Sequence, residues 1–205
     1  MKTSPASTRS ESRYVLLTFD DGPDPLWTPR VLEALREADA RAVFFVLGPL
    51  ARRYPRLIRE ILGNGHRVEL HCTSHIRHTH LTRREVEDDT RLGLRDLAQA
   101  GASPALWRPP WGVLAPWTRE VANECGLELA LWTEDTHDWR GDSADEMLRA
   151  VEEDLRPGSV VLMHDGIGPG ARRESCEQTV ELIGKLASRI REIGCTPEPR
   201  EMRPA

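Results

Sequence analysis

The stretch that decides the reading is "YVLLTFDDGPD", residues 14–24. An apolar, β-prone run ends on two adjacent carboxylates, Asp20 and Asp21, and Gly22-Pro23 turns the chain directly afterwards. Neighbouring like charges cost free energy unless something neutralises one of them. On a strand, adjacent side chains face opposite ways. The two acids can therefore take different partners, provided the turn brings both to the same strand end.

Working outward, further β-rich runs fall at 42–47, 67–71, 105–108, 127–133, 159–164 and, more weakly, 195–198. Helical patterns separate them at 28–38, 55–62, 82–98, 116–123, 143–155 and 174–193. Pro29 sits in a first turn, where its missing N–H is harmless. Ser143 followed by Glu146 has capping-box spacing, and "GNG" at 63–65 is a helix stop. Strands alternating with helices imply parallel pairing and right-handed crossovers. An open doubly wound sheet and a closed barrel both fit, and seven strands would make a small or incomplete barrel. No linker or repeat interrupts the rhythm. One domain is expected over 13–205, after a polar, disordered lead over 1–12.

The chain has 205 residues, 39% hydrophobic and 30% charged, which suits one globular domain. Its net charge of -5 argues against a nucleic-acid surface. No apolar run is long enough to span a membrane. The first residues lack the apolar core of a secretory signal, so a cytoplasmic location is expected, or a secreted one if a leader was removed; a monomer is expected as well. Cys72, Cys125, Cys176 and Cys195 have no paired spacing, and reduced, buried thiols are expected.

Titratable residues recur where strands end: Asp20 and Asp21, His71 and His75, Arg108, Asp135 and Asp138, His164 and Asp165. In parallel α/β folds that rim is where sites are built. "HCTSH" (71–75) offers two imidazoles at i and i+4, which on a helical turn can share a metal. It lacks the glutamate of a zincin helix. Asp20 or Asp21 can supply a third ligand. "WRPPWG" (107–112) is stiff, because Pro109 and Pro110 fix the backbone and remove two N–H groups. Trp111 and Gly112 then carry the next available donors. Arg108 needs a nearby carboxylate if it lies inside the rim, and Asp20 is a candidate. His164, at the end of "VVLMH", suits general acid or base work. His78 and His80 read as loop residues. Trp111 and Trp139 suit sugar faces.

Five ordered segments, "TFDDGP", "HCTSH", "RPPWG", "DTHDW" and "VLMHD", resemble the motifs of the polysaccharide deacetylases, carbohydrate esterase family four. The resemblance implies a distorted (β/α)7-8 barrel of the α/β class. It implies a metal-dependent hydrolase that removes the N-acetyl group of an amino sugar, the substrate being an acetylated carbohydrate. An O-acetyl xylan esterase or a hydrolase of a small non-sugar amide is the alternative. Asp21, His71 and His75 would hold zinc, or another divalent metal such as cobalt. Asp20 would be the general base, held by Arg108. The Trp111 N–H would bind the oxyanion. His164 would be the general acid, with Asp138 as its partner. Trp139, Leu162 and Pro110 would contact substrate. Cys72 departs from the usual Ser or Thr of the second motif, which removes a hydroxyl but no ligand.

Overall fold

The computed structural model describes residues 13–198. The expected lead, 1–12, lies outside the described residues. Among the described residues eight strands form one sheet: β1 Tyr14–Asp20, β2 Ala42–Leu47, β3 Arg67–Cys72, β4 Leu106–Trp107, β5 Glu128–Leu129, β6 Glu134–Asp135, β7 Val160–His164 and β8 Thr196–Pro197. All pairings are parallel, in the order β5-β4-β3-β2-β1-β7-β6, with β8 against the start of β1.

The connection between β5 and β6 forces curvature. These strands are the two ends of the path, yet only five peptide steps separate Leu129 from Glu134. Five steps reach at most about 18 Å, whereas seven flat strands would place their outer members about 29 Å apart. The sheet therefore curls into a barrel left unpaired between β5 and β6. Of the single strand expected over 127–133 only β5, Glu128–Leu129, forms, against β4; β6 follows just beyond it and pairs with β7.

Among the described residues seven α-helices accompany the strands: α1 Trp27–Glu37, α2 Gly48–Arg53, α3 Pro55–Gly63, α4 Arg83–Ala100, α5 Thr118–Glu124, α6 Ala144–Val151 and α7 Glu177–Glu192. The Ser143 and Glu146 capping box forms at the start of α6, and Thr82 with Glu85 makes a second at α4. Gly101 ends α4 at φ 97°, a left-handed conformation suited to glycine. The sequence pattern misses α2, since "GPLARR" is too short to display a period. The helix expected to run to 155 stops at Val151.

Strand alternation sorts the core. Val15, Leu17 and Phe19 belong to the main apolar cluster, together with helical residues such as Leu35, Ile58 and Leu186. The intervening Leu16 joins Val43, Phe45, Leu106 and Ala130 in a smaller cluster. Strands buried on both faces read as continuous apolar runs. Above the small cluster, Thr18 and Asp20 continue the Leu16 face, and their register partners on β7 are Leu162 and His164. One face of each strand thus turns from apolar to chemical as it reaches its C-terminal end. Among the described residues no helix is long and apolar enough to cross a membrane, and all four cysteines are free.

Candidate active site

A cavity of about 490 Å³ opens at this rim, lined by Asp20, Asp21, His71, His75 and His164 among others. The His71 Nδ1 lies 2.6 Å from the Arg108 carbonyl oxygen. That carbonyl only accepts, so Nδ1 carries the proton and Nε2 keeps its lone pair. This Nε2 lies 3.4 Å from the Asp21 Oδ1, and the His75 Nε2 lies 3.2 Å from the same oxygen. The three donor atoms all fall within 4.8 Å of one another. Among the described residues, the buried Asp21 Oδ1 accepts no hydrogen bond. A buried carboxylate oxygen facing two imidazole nitrogens is costly unless a cation joins them. The donor set, with the Nδ1–H of His71 fixed by a carbonyl, fits a divalent cation site that keeps positions open.

The two histidines do not meet through a helical turn, as their spacing suggests. His71 is on β3, and the chain then bends through His75 at φ 42°. Asp89 on α4 holds the bend. Its carboxylate accepts from the Thr73 N–H at 2.9 Å and the Ser74 N–H at 2.9 Å, and its carbonyl accepts from the Thr73 hydroxyl at 2.8 Å. The loop therefore has its own tether beside Cys72.

Asp20 has a different partner. Arg108 is fully buried, and its Nη1 donates to the Asp20 Oδ1 and to the Thr18 Oγ1, both at 2.8 Å. Its Nε donates to the Ala130 carbonyl at 3.1 Å, and Phe45 lies 4.0 Å from the guanidinium carbon. A guanidinium so enclosed holds the carboxylate in one orientation.

His164 stands next to Asp20 in the β1–β7 register. Its Nδ1 donates to the Asp138 Oδ1 at 2.7 Å, and its backbone N–H donates to Oδ2 at 2.9 Å. Burial alone would push this imidazole down, but the charge and hydrogen bond of Asp138, with Asp21 and Asp20, raise it to about 9. In the "RPPWG" turn, Gly112 N–H donates to Pro109 O at 2.9 Å and Val113 N–H to Pro110 O at 3.2 Å. Gly112 is thereby removed as a candidate donor. Trp111 adopts φ 55° and stays 38% exposed at the cavity.

The model of one protein family, described as polysaccharide deacetylase, matches residues 7–130. The chain belongs to the polysaccharide deacetylase family. A peptidoglycan-N-acetylglucosamine deacetylase of Bacillus cereus is 31% identical, covering 90% of this chain and 85% of the relative. A chitooligosaccharide deacetylase of Bradyrhizobium is 34% identical over 93% of this chain and 90% of the relative. Among solved structures, a family 4 carbohydrate esterase from Streptomyces lividans in complex with acetate superposes with a TM-score of 0.81 at 33% identity. That match covers 94% of this chain and 96% of the esterase.

This polysaccharide deacetylase also builds its site from residues that carry no motif signal. Arg173 donates from Nη1 to the Asp138 Oδ2 at 2.8 Å, and from Nη2 to the carbonyls of His164 and Gly166 at 3.0 and 3.1 Å. Thr179 on α7 donates to the same Asp138 oxygen at 2.9 Å. Asp138 is thus fixed from behind, far along the chain from the segment that supplies it. The loop after β7 presses on the first motif. A Cβ at Gly168 would lie 1.9 Å from the Asp21 Oδ2, and one at Gly166 would lie 2.5 Å from the Asp21 carbonyl oxygen. On the other side, the buried Asp165 carboxyl abuts Gly22 and accepts from the Thr28 hydroxyl at 2.5 Å. Burial pushes that carboxyl up to about 7.

Leu162 and Trp139 line the cavity. Pro110 does not: it is buried within the turn and absent from the lining. His78 is a buried structural residue, with its Nδ1 3.1 Å from the Thr118 Oγ1 and its ring 5.0 Å from Trp107. Burial pushes its imidazole down to about 4. His80 is exposed and lies outside the lining.

Proposed function

We propose that this protein hydrolyses the N-acetyl group of an amino sugar within a glycan, giving acetate and a free amine, with a divalent metal, zinc first, as cofactor. The observation that carries this reading is the division between the two adjacent acids. Asp21 faces two imidazoles with an orphaned oxygen, and Asp20 is paired to a buried arginine. The relatives named peptidoglycan-N-acetylglucosamine deacetylase and chitooligosaccharide deacetylase support the substrate class.

Asp21, His71 and His75 would hold the metal, which when bound supplies Lewis acidity toward the acetyl carbonyl and an attacking water. Asp20, fixed by Arg108, accepts the proton of that water as it attacks the carbonyl carbon. The Trp111 N–H, the donor of its turn that neither a proline ring nor the Gly112 and Val113 bonds remove, would donate to the developing oxyanion. His164 passes its proton to the nitrogen as the C–N bond breaks, because an unprotonated amine leaves poorly. Leu162 and Trp139 enclose the acetyl methyl.

The test is acetate release from N-acetylglucosamine oligomers, acetylated xylan and small amides, before and after chelation and again after added zinc. The reading expects zinc-restored turnover on the oligomers. Turnover that survives chelation, or that is confined to xylan or small amides, would overturn it.

A pH profile tests the acid separately. His164 must be protonated to act, so kcat/KM is expected to fall as pH rises past its pKa. That limb lies at or below about 9, since a cation on Asp21 offsets one of the carboxylates that raise it. Asp138→Asn removes the largest raising influence, so the alkaline limb is expected to move to lower pH. An unmoved limb would argue that another group limits the profile.

A further inference from the structure

Asp138 is held by more than the imidazole it serves. Its Oδ1 faces the His164 Nδ1 at 2.7 Å. Among the described residues its Oδ2 accepts from three donors: the His164 backbone N–H at 2.9 Å, the Thr179 hydroxyl at 2.9 Å and the Arg173 Nη1 at 2.8 Å. The same Nη1 also donates to the Thr179 Oγ1. A free carboxylate turns easily about its last side-chain bond, because that torsion is broad. With Oδ2 pinned in this way it cannot turn, and Oδ1 stays in line with the imidazole. Burial alone would raise the Asp138 carboxyl, but the charge and hydrogen bond of His164, with Arg173 and Thr179, hold it below its ordinary range. The carboxylate is thus both ionised and fixed.

Arg173 reaches this point from outside the five motif segments. It is buried, lines the cavity, and stands in the connection between β7 and α7. Its Nη2 donates to the carbonyls of His164 and Gly166 at 3.0 and 3.1 Å, where that connection begins. One guanidinium therefore grips both the carboxylate behind the acid and the backbone of the residue that carries the acid. A planar fork can do both at once, whereas a lysine ammonium is a point charge on a flexible stem. Asp20 has its own arginine, Arg108, so base and acid are fixed by different guanidinium groups.

We propose that Arg173 is a positioning residue for the acid step: acting through Asp138, with Thr179 beside it, it keeps the His164 Nε2–H aimed at the leaving nitrogen. The proposal rests on the deacetylase reading above and adds to it a residue that works only through another. As the C–N bond breaks, its electron pair stays on nitrogen and the His164 proton joins it there. An amine leaves poorly without that proton, but para-nitrophenolate leaves without one. Loss of Arg173 is accordingly felt on an amide and hardly on an activated ester.

The test measures kcat and KM on N-acetylglucosamine oligomers and on para-nitrophenyl acetate, with zinc content and thermal midpoint, for Arg173→Gln and Thr179→Val. Each change is also made in a His164→Ala background. Arg173→Gln is expected to lower kcat on the oligomers by about 10–100-fold with KM within about twofold, since misplacing a reacting group by about 1 Å costs up to about 10²-fold. Its rate on the ester stays within about threefold of the unaltered protein, because proton donation contributes little there. Thr179→Val keeps size and fold and removes one hydrogen bond, so a loss of the same kind but only about 2–10-fold is expected. Zinc stays at full stoichiometry in both. Once His164 is alanine, neither change costs more on the oligomers, because residues that act as one unit are not additive. Equal losses on amide and ester, loss of zinc, or losses that persist in His164→Ala would overturn the proposal, since Arg173 would then support the cavity wall as a whole. Should Arg173→Gln not fold, an unchanged oligomer rate in Thr179→Val would overturn it as well. Ester turnover by the unaltered protein with no acetate from the oligomers would count instead against the deacetylase reading.

Discussion

Asp20→Asn is expected to keep bound metal at full stoichiometry and to lower kcat by about 10²–10⁴-fold, the range for removing a general base. Its neighbour should behave in the opposite way. Asp21→Asn and His71→Ala are expected to lose the metal, and activity with it, because each removes one of three ligating atoms gathered within 4.8 Å. Metal content by elemental analysis and acetate release, measured together, separate the two residues. Asp20→Asn also leaves the fully buried Arg108 without its carboxylate. Breaking a buried pair from one side typically costs about 3–5 kcal/mol, so its thermal midpoint should fall while the metal remains. Near-normal turnover in Asp20→Asn would end the assignment of Asp20 as base, and metal loss in that variant would end the division of labour.

Gly168→Ala is the second large expected effect, at a position no motif marks. Its Cβ would stand 1.9 Å from the Asp21 Oδ2. No relaxed structure holds two atoms that close, so either the loop or the Asp21 side chain must move. The predicted result is metal affinity weakened by about 10–100-fold, the range seen when groups supporting a ligand are altered, with circular dichroism unchanged. Gly170→Ala is the control. It lies in the same loop with nothing near its Cβ direction, but its φ of 90° adds local strain without touching Asp21. Equal metal affinity in Gly168→Ala and the unaltered protein would show that the loop, rather than Asp21, gives way. The same measurement distinguishes a ligand-positioning effect from general loosening, which would appear in both variants.

Much of this molecule is legible before any coordinates. The strand-to-helix rhythm, the capping box at Ser143, the acids of "TFDDGPD" and the histidines of "HCTSH" are local features. Parallel α/β architecture makes strand ends converge whatever the intervening loops do. What the sequence pattern could not supply falls into two kinds. Very short elements, such as the helix at Gly48–Arg53 and the two-residue strands at Glu128–Leu129 and Glu134–Asp135, carry too few residues to show a period. The other kind is contact between distant segments. Arg173 and Thr179 lie 35 and 41 residues beyond Asp138, and Asp89 lies 15 residues beyond Ser74.

The opening stretch shows where the boundary falls. By itself the sequence determined that a buried strand ends on two acids that cannot both be left uncompensated, because charge and alternation are properties of neighbouring residues. Only the tertiary structure decided which acid meets which partner. Curling the sheet brings β3 and its following bend to Asp21, carries Arg108 across to Asp20, and lays the 166–168 backbone against Asp21. Those choices depend on distances between strands that only the curled sheet sets. The same folding laid Arg77 over Trp111 and Arg172 over Trp139, contacts that no local pattern announces.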